Sequence, residues 1–117
     1  MSIQKSAKGI TLCVKKIMAS GANSEGKAPK ILLVTPPKFN SLNELMSMIF
    51  GNNMPNCTEL AKYYGLIAST FGTEFLDITP IIEASKLDGI HLDQAGNAAL
   101  AEILYEKILN IFRIPSI

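Results

Sequence analysis

The sequence predicts an α/β protein of three layers, a parallel sheet between helices, and three observations lead there. Helix-like and strand-like segments alternate along the 117 residues in the order α-β-α-β-α. The run Lys30-Ile31-Leu32-Leu33-Val34-Thr35 is apolar on both faces, as a strand buried between helix layers requires, and Pro36-Pro37 stops it. Only two strands are visible, too few to occupy three long apolar helices. The sheet is therefore expected to be incomplete, in a single domain spanning 1–117.

Each element has its own signal. Ile3, Ala7, Ile10, Val14 and Ile17 recur at helical spacing with lysines between them, which predicts an amphipathic helix over about 2–19. Gly21 ends it, and a polar loop follows to Pro29. A Met-rich helical patch is expected from Leu42 to Phe50, with Gly51-Asn52-Asn53 as a turn. A second helix over about 58–71 places Leu60, Tyr64, Ile67, Ala68 and Phe71 on one stripe, and Gly72 terminates it. Glu74–Ile78 reads as the second strand, stopped by Pro80. Asp93 stands as the N-cap of a final helix over about 94–112. Its buried stripe would be Leu100, Ile103, Leu104, Ile108 and Ile111.

Bulk composition removes several function classes. Charged residues make up 18% of the chain, against about 25% in an average protein, and mean hydropathy is +0.25. Such a chain should bury its helices on more than one side. Eleven basic and ten acidic residues leave a net charge of +1, so nothing favours nucleic acid. No apolar window of about 18 residues predicts a membrane span. The N-terminal stretch is basic, but Lys8, Lys15 and Lys16 interrupt any secretory core, and it lacks the arginines of a transit peptide. Cys13 and Cys57 have no metal-ligand spacing, and Cys13 sits among apolar neighbours as a small buried hydrophobe would. The compartment expected is the cytoplasm, without a disulfide.

The chain's one histidine stands in Asp88-Gly89-Ile90-His91-Leu92-Asp93. A base for acyl transfer needs one ring nitrogen facing a nucleophile and the other held by an acceptor. An Asp three residues earlier can curl its carboxylate back to the ring, and Gly89 permits the turn. Taken alone, Asp-x-x-His also suits a histidine that merely hydrogen-bonds at a loop–helix junction.

The surrounding parts narrow the choice. The Asp88–His91 block opens a long apolar C-terminal helix, and upstream stand a strand ending in Thr35-Pro36-Pro37, a variable loop, a helix, and a strand ending in Asp77. From about residue 3 onward this order resembles the C-terminal half of the SGNH/GDSL hydrolases, especially small arylesterases and acyl-thioesterases. The resemblance implies a flavodoxin-like α/β/α fold and hydrolysis of a carboxylic ester or thioester through an acyl-serine, without metal or cofactor. It implies that Asp88 orients the imidazole and that His91 is the general base.

The departures are as informative. The family's Gly-Asp-Ser nucleophile block, its oxyanion-hole Gly and its Gly-x-Asn-Asp block do not occur; Gly21-Ala22-Asn23-Ser24 follows a helix and is not the last of these. Ser6, Ser20, Ser24, Ser41 and Ser47 do not sit on a strand-to-helix turn that would expose an activated oxygen. A rival reading is a non-catalytic protein that docks its half-fold on a complementing chain, or on a second copy of itself. Another is a complete flavodoxin-like binding module, but the chain has no Gly-rich strand-to-helix turn for phosphate. The Met-rich stretch from Phe39 to Met54 would line an acyl or aryl pocket, or form ordinary core under a loop. Asp77 is expected to act as a turn acceptor.

Overall fold

The computed structural model describes residues 3–40, 42–50 and 56–113. Their elements are α1 (Ile3–Ala19), β1 (Leu32–Val34), α2 (Glu44–Phe50), α3 (Cys57–Phe71), β2 (Glu74–Leu76) and α4 (Gln94–Phe112). The chain is α/β, and the helix expected at 94–112 has those bounds. The turn expected at Gly51–Asn53 lies outside the described residues, as do Ser41 and Met54.

The chain divides into two compact units. The first, residues 1–35 and 53–76, holds α1, β1, α3 and β2. Its two strands pair in parallel, with Leu32 opposite Glu74, Leu33 opposite Phe75 and Val34 opposite Leu76. Flanking backbone bonds, Glu74 N–H to the Ile31 carbonyl and Thr35 N–H to the Leu76 carbonyl, carry the pairing one step further at each end. α3 packs on α1 and on both strands, burying Leu60, Ala61, Ile67 and Ala68, with Val14 from α1. Asn56 caps α3 by accepting the Glu59 N–H, and Gly72 closes it at a left-handed φ of 69°. The expected α3 stripe is thus buried at three of its five positions, with Tyr64 and Phe71 half-buried. Burial pushes the Tyr64 phenol up from its ordinary value.

Three expectations need correction here. β1 is half-buried along its whole length, not buried on both faces, because among the described residues its sheet has only β2 beside it. Cys13 is exposed, since it lies one position off the α1 stripe on which Val14 is buried. Ile17, placed on that stripe, is also exposed.

The second unit, residues 36–52 and 77–117, holds α2 and α4. Its core is in the loop that precedes α4: Ile78 (2% exposed), Ile82 and Ala84. The segments 38–40 and 82–84 run in parallel, with Lys38 opposite Glu83 in a single bridge. Lys38 N–H donates to the Ile82 carbonyl, and Ala84 N–H to that of Lys38. Neither helix has a fully buried residue. The expected α4 stripe is only half-buried, with Ile108 exposed. The Met-rich stretch is not core: Leu45, Met48, Ile49 and Phe50 are exposed, Met48 by 79%. The apolar spacing does form helices, but burial needs a covering layer, and the described residues supply none for these faces.

Candidate active site

The candidate site is the loop from Ser85 to His91, which ends two residues before α4. Asp88 Oδ1 accepts the N–H groups of Ile90 (2.8 Å) and His91 (2.9 Å). One carboxylate oxygen thus folds the chain over itself in an Asx-type turn. Gly89 takes a left-handed φ of 79° at the bend, a conformation costly for any residue with a Cβ. The turn brings the second oxygen, Oδ2, to 2.5 Å from His91 Nδ1.

Both groups are thereby specified. The Asp88 carboxyl is held down at about 2, chiefly by the Ile90 N–H, then by the His91 ring and the His91 N–H. It remains an anion far below neutral pH. With Oδ2 against Nδ1, the tautomer protonated at Nδ1 leaves Nε2 as the basic nitrogen. The His91 side chain is 74% exposed, whereas that of Asp88 is 20% exposed. A fixed carboxylate behind an outward-facing imidazole can orient a general base and stabilise the imidazolium that forms when it takes a proton.

Asp93 has a different task. Its Oδ1 accepts the Gly96 N–H at 2.7 Å and caps α4. Asp77 Oδ1 accepts the Thr79 N–H at 3.1 Å, the turn role expected for it. Two residues that the sequence reading did not single out stand behind the pair. Ser85, which is buried, donates its N–H to the His91 carbonyl and accepts the Gly89 N–H on its own carbonyl. Asn40 N–H donates to the Gly89 carbonyl, and Asn40 Nδ2 to that of Ala84. The signal available was weak: a polar Asn just past a strand-ending Pro-Pro, and a Ser opening an Asp-Gly loop. An open cleft of about 430 Å³ adjoins this loop, its lining including Asn40, Ser85, Leu87 and Asp93 but not His91. Among the serines weighed as nucleophiles, Ser20 Oγ is spent on the Ile17 carbonyl, and Ser47 lies on exposed α2.

No family model matches the chain, and no curated protein sequence does. Solved structures do. The aryl esterase of M. smegmatis matches with a TM-score of 0.82 and 28% identity, over 94% of this chain and 53% of that one. The structures this chain matches include aryl esterases and carbohydrate acetylesterases. Est24, a carbohydrate acetylesterase from Sinorhizobium meliloti, matches at a TM-score of 0.84 and 24% identity, over 95% of this chain and 53% of its own. A putative arylesterase from Agrobacterium tumefaciens str. C58 matches at 0.75 and 23%, over 92% and 51%. The chain therefore spans about half the length of these esterases, as a C-terminal half would. No helix among the described residues is long and apolar enough to cross a membrane.

Proposed function

We propose that this chain is the acid–base half of an SGNH-type serine ester hydrolase, with His91 as general base and Asp88 as the group that orients it. The observation that carries the reading is the 2.5 Å contact from Asp88 Oδ2 to His91 Nδ1, behind an exposed ring, in a chain whose solved neighbours include aryl esterases. In the complete three-layer, flavodoxin-like enzyme, a serine outside these 117 residues attacks the ester or thioester carbonyl. Nε2 of His91 takes the hydroxyl proton as the oxygen–carbon bond forms. The same proton passes to the departing alkoxide or thiolate as the tetrahedral intermediate collapses to the acyl-serine. A water then attacks the acyl group, giving its proton to His91, which returns one to the serine oxygen as the acid leaves. Asp88, anionic throughout, keeps Nδ1 protonated and balances the imidazolium charge. No step requires a metal or cofactor, and the partner that the half-fold needs is the segment bearing the serine.

A chimera tests this directly. The 117 residues replace the matched half of the M. smegmatis aryl esterase, and p-nitrophenyl acetate turnover is measured. The expected result is hydrolysis that falls about 10²–10⁴-fold in His91→Ala, with the 117-residue chain alone at background. A folded chimera whose rate ignores His91→Ala sinks the assignment. A robust, His91-dependent rate from the chain alone would mean that a serine within it is the nucleophile.

A further inference from the structure

An exposed carboxylate–imidazole pair is too weak to order a loop by itself, so the Asx-type turn that brings Asp88 to His91 needs support from the rest of the loop. Ser85 supplies three ties to it. Its N–H donates to the His91 carbonyl at 2.6 Å, its carbonyl accepts the Gly89 N–H at 2.8 Å, and its Oγ accepts the Leu87 N–H at 3.0 Å. Residues 87, 89 and 91 are thus fastened at alternate positions to one buried serine. The next layer is Asn40, whose N–H reaches the Gly89 carbonyl at 2.9 Å and whose Nδ2 reaches the Ala84 carbonyl at 3.3 Å. Leu87 is 84% exposed, so its side chain does little to anchor the loop, and the tie from its N–H to Ser85 Oγ matters more.

We propose that the Ser85 hydroxyl, backed by Asn40, has a positioning role: by fastening the Leu87 N–H it keeps the 85–91 loop closed so that the Asp88 carboxylate meets His91 Nδ1. The catalytic purpose of this clamp rests on the esterase reading; the clamp itself does not, and its test needs no activity. Preorganisation is the benefit: the base is oriented before substrate arrives. Ser85 takes part in no bond-making step.

The test follows the Asp88 carboxyl through an acid titration by carbon-detected NMR, on the 117-residue chain and on Ser85→Ala, Ser85→Thr and Asn40→Ala. Lys86, Glu83 and Asp93, the nearby charges, are the same in all four. In the native chain the Asp88 midpoint is expected at about 2, against 3.8 for the ordinary group. Ser85→Ala releases the Leu87 N–H, and the midpoint climbs toward the ordinary value while the His91 ring N–H resonance weakens. Ser85→Thr, which keeps the hydroxyl, restores both. Asn40→Ala moves both in the same direction by less, and carries the test alone should Ser85→Ala lose the dispersed amide spectrum. A midpoint that stays at about 2 in the alanine variants, or a Ser85→Thr chain that behaves like Ser85→Ala, overturns the positioning role and leaves the esterase reading standing. A midpoint that moves as expected, beside a folded chimera indifferent to His91→Ala, confirms the clamp and removes only the esterase reading.

Discussion

The two compact units are held together by different physics. The unit of α1, β1, α3 and β2 is an apolar core, in which Leu60, Ile67 and Ala68 of α3 lie against α1 and two strands. The unit of residues 36–52 and 77–117 is organised around a loop: Ile78, Ile82 and Ala84 are buried within it, and hydrogen bonds from Lys38, Asn40, Ser85 and Asp88 shape the rest. Its helices leave apolar side chains such as Met48, Tyr105 and Phe112 in the open. Packing makes one unit stable, and polar satisfaction makes the other specific. The candidate site lies in the second, where geometry matters more than burial.

The largest contrast is expected between two leucine-sized deletions. Leu60 is 5% exposed on α3, whereas Ile108 is 44% exposed on α4. Leu60→Ala removes buried atoms and leaves a cavity, and should lower unfolding free energy by about 2–5 kcal/mol. Ile108→Ala should cost no more than about 0.5 kcal/mol in the same urea melts. Equal losses would mean that α4 is covered in solution by something such as a second copy of the chain, and light scattering on the same samples would reveal it.

A smaller effect tests the loop. Gly89 has φ of 79°, so Gly89→Ala should cost about 1–2 kcal/mol through backbone strain alone. Because the strain falls between Asp88 and the two amides its Oδ1 accepts, the Asp88–His91 contact should weaken as well. NMR of the His91 ring proton measures the second effect, and a melt the first. A variant with native stability and an unchanged ring proton would show that the bend does not set the pair.

Which parts could be read from the sequence follows the same division. The bounds of α4 and the role of Asp93 were readable because a helix start is a local event: an Asx side chain, three residues and one amide. The Asp88–His91 contact is local too, at a separation of three. Burial was not readable where it depends on a distant layer, as in α2, Cys13 and Ile17. Ser85 and Asn40 escaped for a related reason. Asn40 meets Ala84 from 44 residues away, and two of the three ties at Ser85 are backbone bonds, which carry no residue-type signal.

The smallest effect is confined to the loop and depends on acid. The Asp88 carboxyl lies at about 2 in the folded chain against an ordinary 3.8. A depressed carboxyl contributes to the folded state fully above the ordinary value, and that contribution is lost as pH falls through the folded one. The amides of Ile90 and His91, both bound to Asp88 Oδ1, should therefore stay protected from exchange at about pH 4 and become labile as the pH approaches about 2. The first unit offers a built-in reference. Its α3 is capped by Asn56, an amide with no proton to gain in this range, and the Lys27–Glu25 ion pair of that unit is exposed at 3.6 Å and contributes little. The protected amides of α3 should then exchange at a rate set by the ordinary acid dependence, with no extra step between those two values. Simultaneous loss of protection in both regions would show that acid unfolds the whole chain before Asp88 titrates, and that the loop has no separate stability. A loop that stays protected through about pH 2 would instead mean that Ser85 and Asn40 hold it without help from the carboxylate.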